Sequence, residues 1–99
     1  MRNIVSGDTV QEGSIEEKVK DLSRARQSLI EEIQAMMWYD ERVAATKDKG
    51  LADVMAHNRD DEKEHASLLL AWLRRNDAPL DKELKEILFS KKELKELWD

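Results

Sequence analysis

One helical seam in the second half of the chain constrains the fold more than any other feature. The members of this seam recur at alternating steps of four and three residues. Such steps place them on one side of an α-helix, the side that packs against other helices in a bundle. Three of its members are polar, although the side of a helix that packs in a bundle is normally apolar. The seam consists of Leu51, Met55, Asn58, Glu62, His65, Leu69 and Trp72.

Two of these polar residues form a metal-ligand pair. Glu62 and His65 are three residues apart, so a helix projects the carboxylate and the imidazole from the same side. Burying an unpaired carboxylate costs several kcal/mol, which is comparable with the whole stability of a small domain. A bound cation would compensate this charge. The alternative is a structural hydrogen-bonded pair that fixes the register of neighbouring helices.

The composition narrows the classes of fold and partner. Charged residues make up 39% of the 99 residues, with only 3 Gly and 1 Pro, which is typical of long amphipathic helices. The net charge of -5 and the absence of a basic stripe argue against nucleic acid as a partner. Because there is no cysteine, ligands for a metal must be carboxylates and imidazoles. We see no apolar run that would span a membrane and no signal peptide, and we therefore expect a cytoplasmic protein.

The periodicity predicts an all-α chain: an antiparallel two-helix hairpin plus a short C-terminal helix. Ser14 and Glu17 form a candidate capping box for the first helix. A turn over 46–50 is short enough to force the two long helices antiparallel. Pro79 disfavours helix at Ala78, and a third helix should break near Ser90. The predicted organisation is a flexible arm over 1–13, the hairpin over 14–77 with helices over 14–45 and 51–76, and a helical segment over 78–99.

A third candidate ligand lies on the first helix. Glu32 comes three residues after Leu29 and four before Met36, at the border of the apolar stripe. An antiparallel hairpin brings it beside Glu62 and His65. A di-iron site in a helix bundle needs two such sets, so two chains must pair into a ferritin-like four-helix bundle to complete one site. Oxygen and nitrogen ligands suit iron or manganese, although copper or zinc would also bind them, and we predict iron.

Three segments also carry a family resemblance. EEIQAMMWYDERV over 31–43, AHNRDDEKEHA over 56–66 and WLRRND over 72–77 closely resemble the encapsulated ferritins. The resemblance implies a homodimer that completes a di-iron ferroxidase centre, and a ring of such dimers, a homodecamer. It also implies that the ring is enclosed in an encapsulin shell, a cytoplasmic nanocompartment that stores the iron after Fe2+ has been oxidised to Fe3+ by dioxygen.

The resemblance further implies roles for single residues. Glu32, Glu62 and His65 correspond to the ferroxidase ligands, Tyr39 lies beside the centre, and Glu31 belongs to an outer site through which metal enters. Two features depart from the family. Gln34 stands where members commonly have a carboxylate, and we recognise no C-terminal targeting peptide before the final KKELKELWD, which leaves docking to a shell open.

Three classes of function stay open from the sequence. Ferroxidase is our prediction. A different di-metal redox enzyme, such as a rubrerythrin-like peroxidase or a manganese catalase, is the second, and a non-catalytic helical assembly module is the third. We expect His57, which is rotated by about 80° from the Glu62–His65 seam, to lie outside the ligand set. We expect Arg59 to pair with one of the ligating carboxylates.

Overall fold

The computed structural model describes the backbone of residues 13–98, and this part of the chain is helical and contains no strand. Helix α1 spans Gly13–Ala45, α2 spans Lys49–Asn76 and α3 spans Ala78–Ile87, and a short 3-10 helix, Leu94–Glu96, follows. The predicted all-α fold with two long packed helices is confirmed. Residues 1–12 of the predicted arm lie outside the described residues. Helical backbone already includes Gly13, so the expectation that the helix starts at a Ser14 cap is wrong by one residue.

The link between α1 and α2 is shorter than predicted. Only residues 46–48 separate the helices, because Asp48 caps α2 by accepting a hydrogen bond at 2.8 Å from the backbone N–H of Leu51. Thr46 Oγ1 in turn accepts one at 3.2 Å from the backbone N–H of Asp48. With this cap, Lys49 and Gly50 form the first turn of α2. Three linking residues leave no arrangement but antiparallel packing.

A second corner sets the direction of α3. Asp77 is extended (φ -142, ψ 90) and both ends α2 and caps α3, where its side chain accepts from the backbone N–H of Leu80 at 3.2 Å. We expected Pro79 to disfavour helix at Ala78, yet α3 begins at Ala78, because proline is well tolerated in a first turn, where backbone donors have no helical partner. Arg26 of α1 donates to the other oxygen of Asp77 at 3.2 Å and so ties this corner to the hairpin.

The isolated chain has almost no core. Its radius of gyration is 18.0 Å, whereas a compact domain of this length has about 13 Å. Among the described residues, Leu73 is the only fully buried hydrophobic side chain. No helix in residues 13–98 combines the length and apolar character required to cross a membrane. Large apolar side chains are exposed along the whole fold, among them Ile15, Val19, Ile33, Met37, Trp38, Val54, Leu68, Trp72, Phe89, Leu94 and Trp98.

The corner at Asp77 yields a stability prediction. Replacing Asp77 by Ala removes the cap of α3 and the partner of Arg26, and we expect a loss of about 1–2 kcal/mol in the free energy of unfolding. Thermal melting of the metal-free protein, followed by circular dichroism, measures it. The matched control is Asp53→Ala, which breaks an exposed pair with Lys49 at 3.3 Å inside α2 and should cost under about 0.5 kcal/mol. Equal melting of the two variants would contradict the role of the corner.

Candidate metal centre

Three side chains from the two long helices meet halfway along the hairpin. Nδ1 of His65 lies 3.2 Å from a carboxylate oxygen of Glu32 and 3.3 Å from one of Glu62. One ligand atom from each residue lies within 4.8 Å of the others. Three donor atoms at this separation can surround a single cation. The structure thus brings together the three residues that the sequence analysis selected as ligands.

The hairpin itself produces this meeting. Glu62 and His65 share one side of α2 through their spacing of three. Glu32 and Glu62 each lie 15 residues from Lys47 in the turn. Antiparallel packing therefore places them at the same level along the axis of the hairpin. The short link capped by Asp48 therefore decides which residue of α1 faces the pair on α2.

The cluster is sheltered on one side and open on the other. The side chains of Glu32 and Glu62 are 21% and 18% exposed, whereas that of His65 is 50% exposed. The carboxylates thus lie between the two helices, and the imidazole lies at the open surface of the hairpin. His65 is therefore the most accessible of the three side chains, and a ligand group or a second subunit can approach the cluster from its side.

The two carboxylates repel each other. The pKa of Glu32 is raised above its ordinary value, first by a carboxyl–carboxylate hydrogen bond with Glu62, then by desolvation and by the negative charge of Glu62, while His65 opposes the rise. Like charges held together in a partly desolvated site favour uptake of a proton or another cation. The donor set of two carboxylates and one imidazole, without thiolate, fits iron or manganese. Three protein ligands also leave coordination positions open for a second subunit or for a substrate.

The other residues that the sequence analysis named lie outside this three-residue cluster. Tyr39 is half-buried, and the guanidinium carbon of Arg42 lies 6.0 Å from the centre of its ring. Glu31 is exposed, outside the three-residue cluster, and its carboxylate accepts a hydrogen bond at 3.2 Å from the side chain of Gln27. Gln34 and Trp38 are exposed as well. His57 is exposed and lies 3.4 Å from Asp61, away from the cluster.

One expectation about the surroundings is wrong. Arg59 does not pair with a ligating carboxylate: it donates to Asp40 of α1 at 3.0 Å and to Asp60 at 3.2 Å. Although Arg59 lies only three residues before Glu62 on α2, its guanidinium is engaged by these two acids instead. The sequence analysis missed Asp40, whose only signal was its place two turns beyond Glu32 on the same helix.

Fold and cluster together define a class: a helical hairpin of the ferritin-like kind, in which two carboxylates and one imidazole meet where they could hold a metal ion. A family model described as EncFtn-like matches residues 8–91. This chain belongs to that family, the encapsulated ferritins, and is thereby a ferritin-like, iron-related protein.

Individual relatives agree with this assignment. A ferritin-like protein of Thermotoga maritima is 48% identical over 80 residues, which are 81% of this chain and 70% of that protein. An encapsulated ferritin-like protein of Rhodospirillum rubrum is 47% identical over 76 residues, or 77% of this chain and 54% of that protein. The crystal structure of protein ne0167 from Nitrosomonas europaea matches with a TM-score of 0.77 and 48% identity, covering 88% of this chain and 98% of that one. The matched part of this chain thus spans about half the length of the Rhodospirillum relative.

The charge conflict in the cluster leads to a prediction for the metal-free protein. A raised pKa of Glu32 means that the charged form of this group is disfavoured on folding. The contribution of Glu32 to stability is therefore present below its unfolded-state pKa and is lost as the pH rises through the raised folded-state pKa. Glu32→Gln keeps the shape and removes the charge. We expect this variant to melt at a higher temperature than the unsubstituted protein at pH 7 and to bind metal more weakly.

Thermal melts from pH 4 to pH 8 without metal test this expectation. The control is Glu31→Gln, which removes a neighbouring exposed carboxylate that lies outside the cluster. If Glu32→Gln melts no higher than Glu31→Gln at pH 7, the two carboxylates do not oppose folding.

Proposed function

We propose that this protein is a ferroxidase, which oxidises Fe(II) to Fe(III) with dioxygen at a di-iron centre shared by two subunits. The observation that carries the proposal is the cluster of Glu32, Glu62 and His65, with its ligand atoms within 4.8 Å and its imidazole at an open surface. It is one half of the ligand set of a bundle di-iron site, which takes two carboxylates and two Glu-x-x-His pairs.

The surface around His65 supports pairing. Leu68 and Trp72 follow His65 on the same side of α2 at helical spacing, Val54 precedes it, and all three are exposed in the single chain. Burying such side chains contributes about 25 cal/mol per Å² of apolar area. A two-fold axis through this face places the same patch of each chain against the other and brings the two clusters together.

A second apolar face supports assembly beyond the dimer. On the side of the hairpin away from His65, an open groove of about 330 Å³ runs between α1 and α2 beside exposed Ile33, with Leu29, Met36 and Leu70 in its lining. Two apolar faces on one elongated chain are what a closed ring of dimers requires. The homodecamer implied by the family resemblance is the assembly we propose.

The cluster residues have complementary roles in the chemistry. Glu32 and Glu62 supply hard anionic oxygens, which bind Fe(II) and favour the more highly charged Fe(III). His65 offers Nδ1, so iron binding at this position displaces any proton held between the imidazole and the carboxylates. Two adjacent Fe(II) ions give one electron each: two Fe(II), one dioxygen and two protons yield two Fe(III) and one hydrogen peroxide. Open coordination positions allow dioxygen to reach the metal pair.

Two further residues have proposed roles at the edge of the centre. Tyr39 follows Glu32 by two helical turns on α1 and is half-buried, and in our proposal it takes part in catalysis. Glu31, exposed on the neighbouring position of α1, attracts incoming cations as part of an outer metal site. Gln34 carries no charge, so this outer site attracts cations less strongly than a site with a further carboxylate would.

The family relationship supports a location inside an encapsulin compartment. The Rhodospirillum relative is named an encapsulated ferritin-like protein. In our proposal the ring oxidises iron within an encapsulin shell, and the shell stores the ferric product. An encapsulin shell protein is therefore the expected partner of this chain.

Iron loading and oxidation test the proposal. We expect native mass spectrometry under anaerobic Fe(II) titration to show two iron ions per pair of chains, with metal strengthening the oligomer by mass action. Under air, optical assays should show oxidation that continues beyond this load. A protein that forms oligomers but binds no iron would be an assembly module instead. Consumption of hydrogen peroxide much faster than dioxygen would identify a peroxidase or catalase.

The chain offers a matched pair of histidines for the decisive variant. His65→Ala removes a cluster ligand, and we expect Fe(II) oxidation to fall to the rate of iron in buffer while the helical content is kept. His57→Ala removes an exposed histidine on the same helix that lies outside the cluster. It should oxidise iron like the unsubstituted protein. Equal rates for both variants would place the reaction elsewhere.

A further inference from the structure

A charged network links α1 and α2 next to the metal cluster. The Arg59 guanidinium donates from Nη1 to Asp40 at 3.0 Å and from Nε to Asp60 at 3.2 Å. Asp60 also lies 3.0 Å from Nζ of Lys63. The contact of Arg59 with Asp40 crosses from one helix to the other, between residues 19 positions apart in the sequence.

We propose that Arg59 and Asp40 are positioning residues, which hold α1 and α2 in the register that the metal centre requires. This inference rests on the proposed metal centre, because register matters only where ligands from both helices must meet. It assigns a function to two residues that touch neither metal nor substrate.

The location of the pair supports this role. Arg59 comes three residues before Glu62, and Asp40 comes eight residues after Glu32, so the pair lies within about two helical turns of the ligands. At the other end of the hairpin, Arg26 contacts Asp77 and Lys18 contacts Asn76, both at 3.2 Å.

Between the cluster and the turn, Arg59–Asp40 is the only ion pair between the two helices in the described part of the chain. A slip by one turn would move Glu32 by about 5.4 Å along the axis. That exceeds the 4.8 Å within which all three ligand atoms now lie. The pair at Arg59 therefore holds the half of the hairpin that the contacts near Asp77 do not reach.

Charge balance keeps Arg59 from competing with the metal. An unpaired guanidinium one turn from Glu62 would attract its carboxylate and repel a cation. Here the guanidinium donates to Asp40 and Asp60, and the ammonium group of Lys63 also pairs with Asp60. The Arg59 side chain is 24% exposed, whereas those of Asp40 and Asp60 are 62% and 56% exposed, so the network is partly solvated and partly screened by salt. The fork of an arginine reaches both acids at once, which a lysine ammonium cannot do with the same geometry.

Anaerobic titration of the full chain with Co(II), followed by its visible absorption, tests the inference without relying on iron oxidation. The variants are Arg59→Gln, Asp40→Asn and the two combined. We expect each single variant to weaken Co(II) binding by about two- to fivefold, the range that a partly exposed ion pair can supply, and to change the absorption band of bound Co(II). The double variant should be no worse than either single one, because the two residues act as one contact.

Two controls complete the experiment. Arg24→Gln also removes one guanidinium, but Arg24 contacts only Asp21 and Glu17 within α1, at 2.7 and 3.5 Å. It should bind Co(II) like the unsubstituted protein. Arg59→Lys retains the charge and should recover part of the lost affinity. Circular dichroism of each metal-free variant verifies that it is folded.

The outcomes separate this inference from the proposed function. If the unsubstituted protein binds no Co(II) and no iron, the metal centre itself is refuted. If it binds Co(II), and Arg59→Gln binds it with the same affinity and spectrum as Arg24→Gln, the positioning role is refuted while the centre stands. Independent losses that add up in the double variant would also refute the role of the pair.

Discussion

The repulsion between Glu32 and Glu62 is the constraint on which the rest of this structure depends. Two carboxylates held between packed helices raise the pKa of Glu32 and work against the metal-free fold. The chain retains them although apolar side chains would pack better there, as is common at functional sites. A cation with two or three positive charges turns this repulsion into attraction. Folding, assembly and metal binding are therefore linked in our proposal, and each is favoured by the other two.

The loose packing of the single chain also supports a link between folding and assembly. An extended hairpin with Leu73 as its single fully buried apolar residue in the described range has too little core to account for stability alone. Its apolar side chains instead line two opposite faces. One face surrounds His65, and the other contains the groove beside Ile33. In our proposal, the pairing of two chains completes the metal centre and buries the apolar side chains around it in the same event.

Small polar contacts define the geometry that this pairing uses. Asp48 shortens the turn, Asp77 sets the corner to α3, and Arg59 with Asp40 links the two helices near the cluster. The first two are local hydrogen bonds and the third is an ion pair between two helices, and each is of modest energy. In our proposal, their common effect is to fix the relative position of the long helices and of the ligands that these helices carry. Precision at the cluster thus comes from residues outside it.

The sequence by itself determined the helices and the ligand candidates, because helical period and the Glu62–His65 spacing are local properties of the chain. Its local signals misjudged Pro79 and the start of α2, where capping by Asp77 and Asp48 decided the outcome. Only the tertiary structure decided that Arg59 faces Asp40 and not a ligand, and that His65 is the open edge of the cluster. These facts depend on the rotation and register of one helix against another. Such quantities arise from packing and cannot be read from the period of either helix alone.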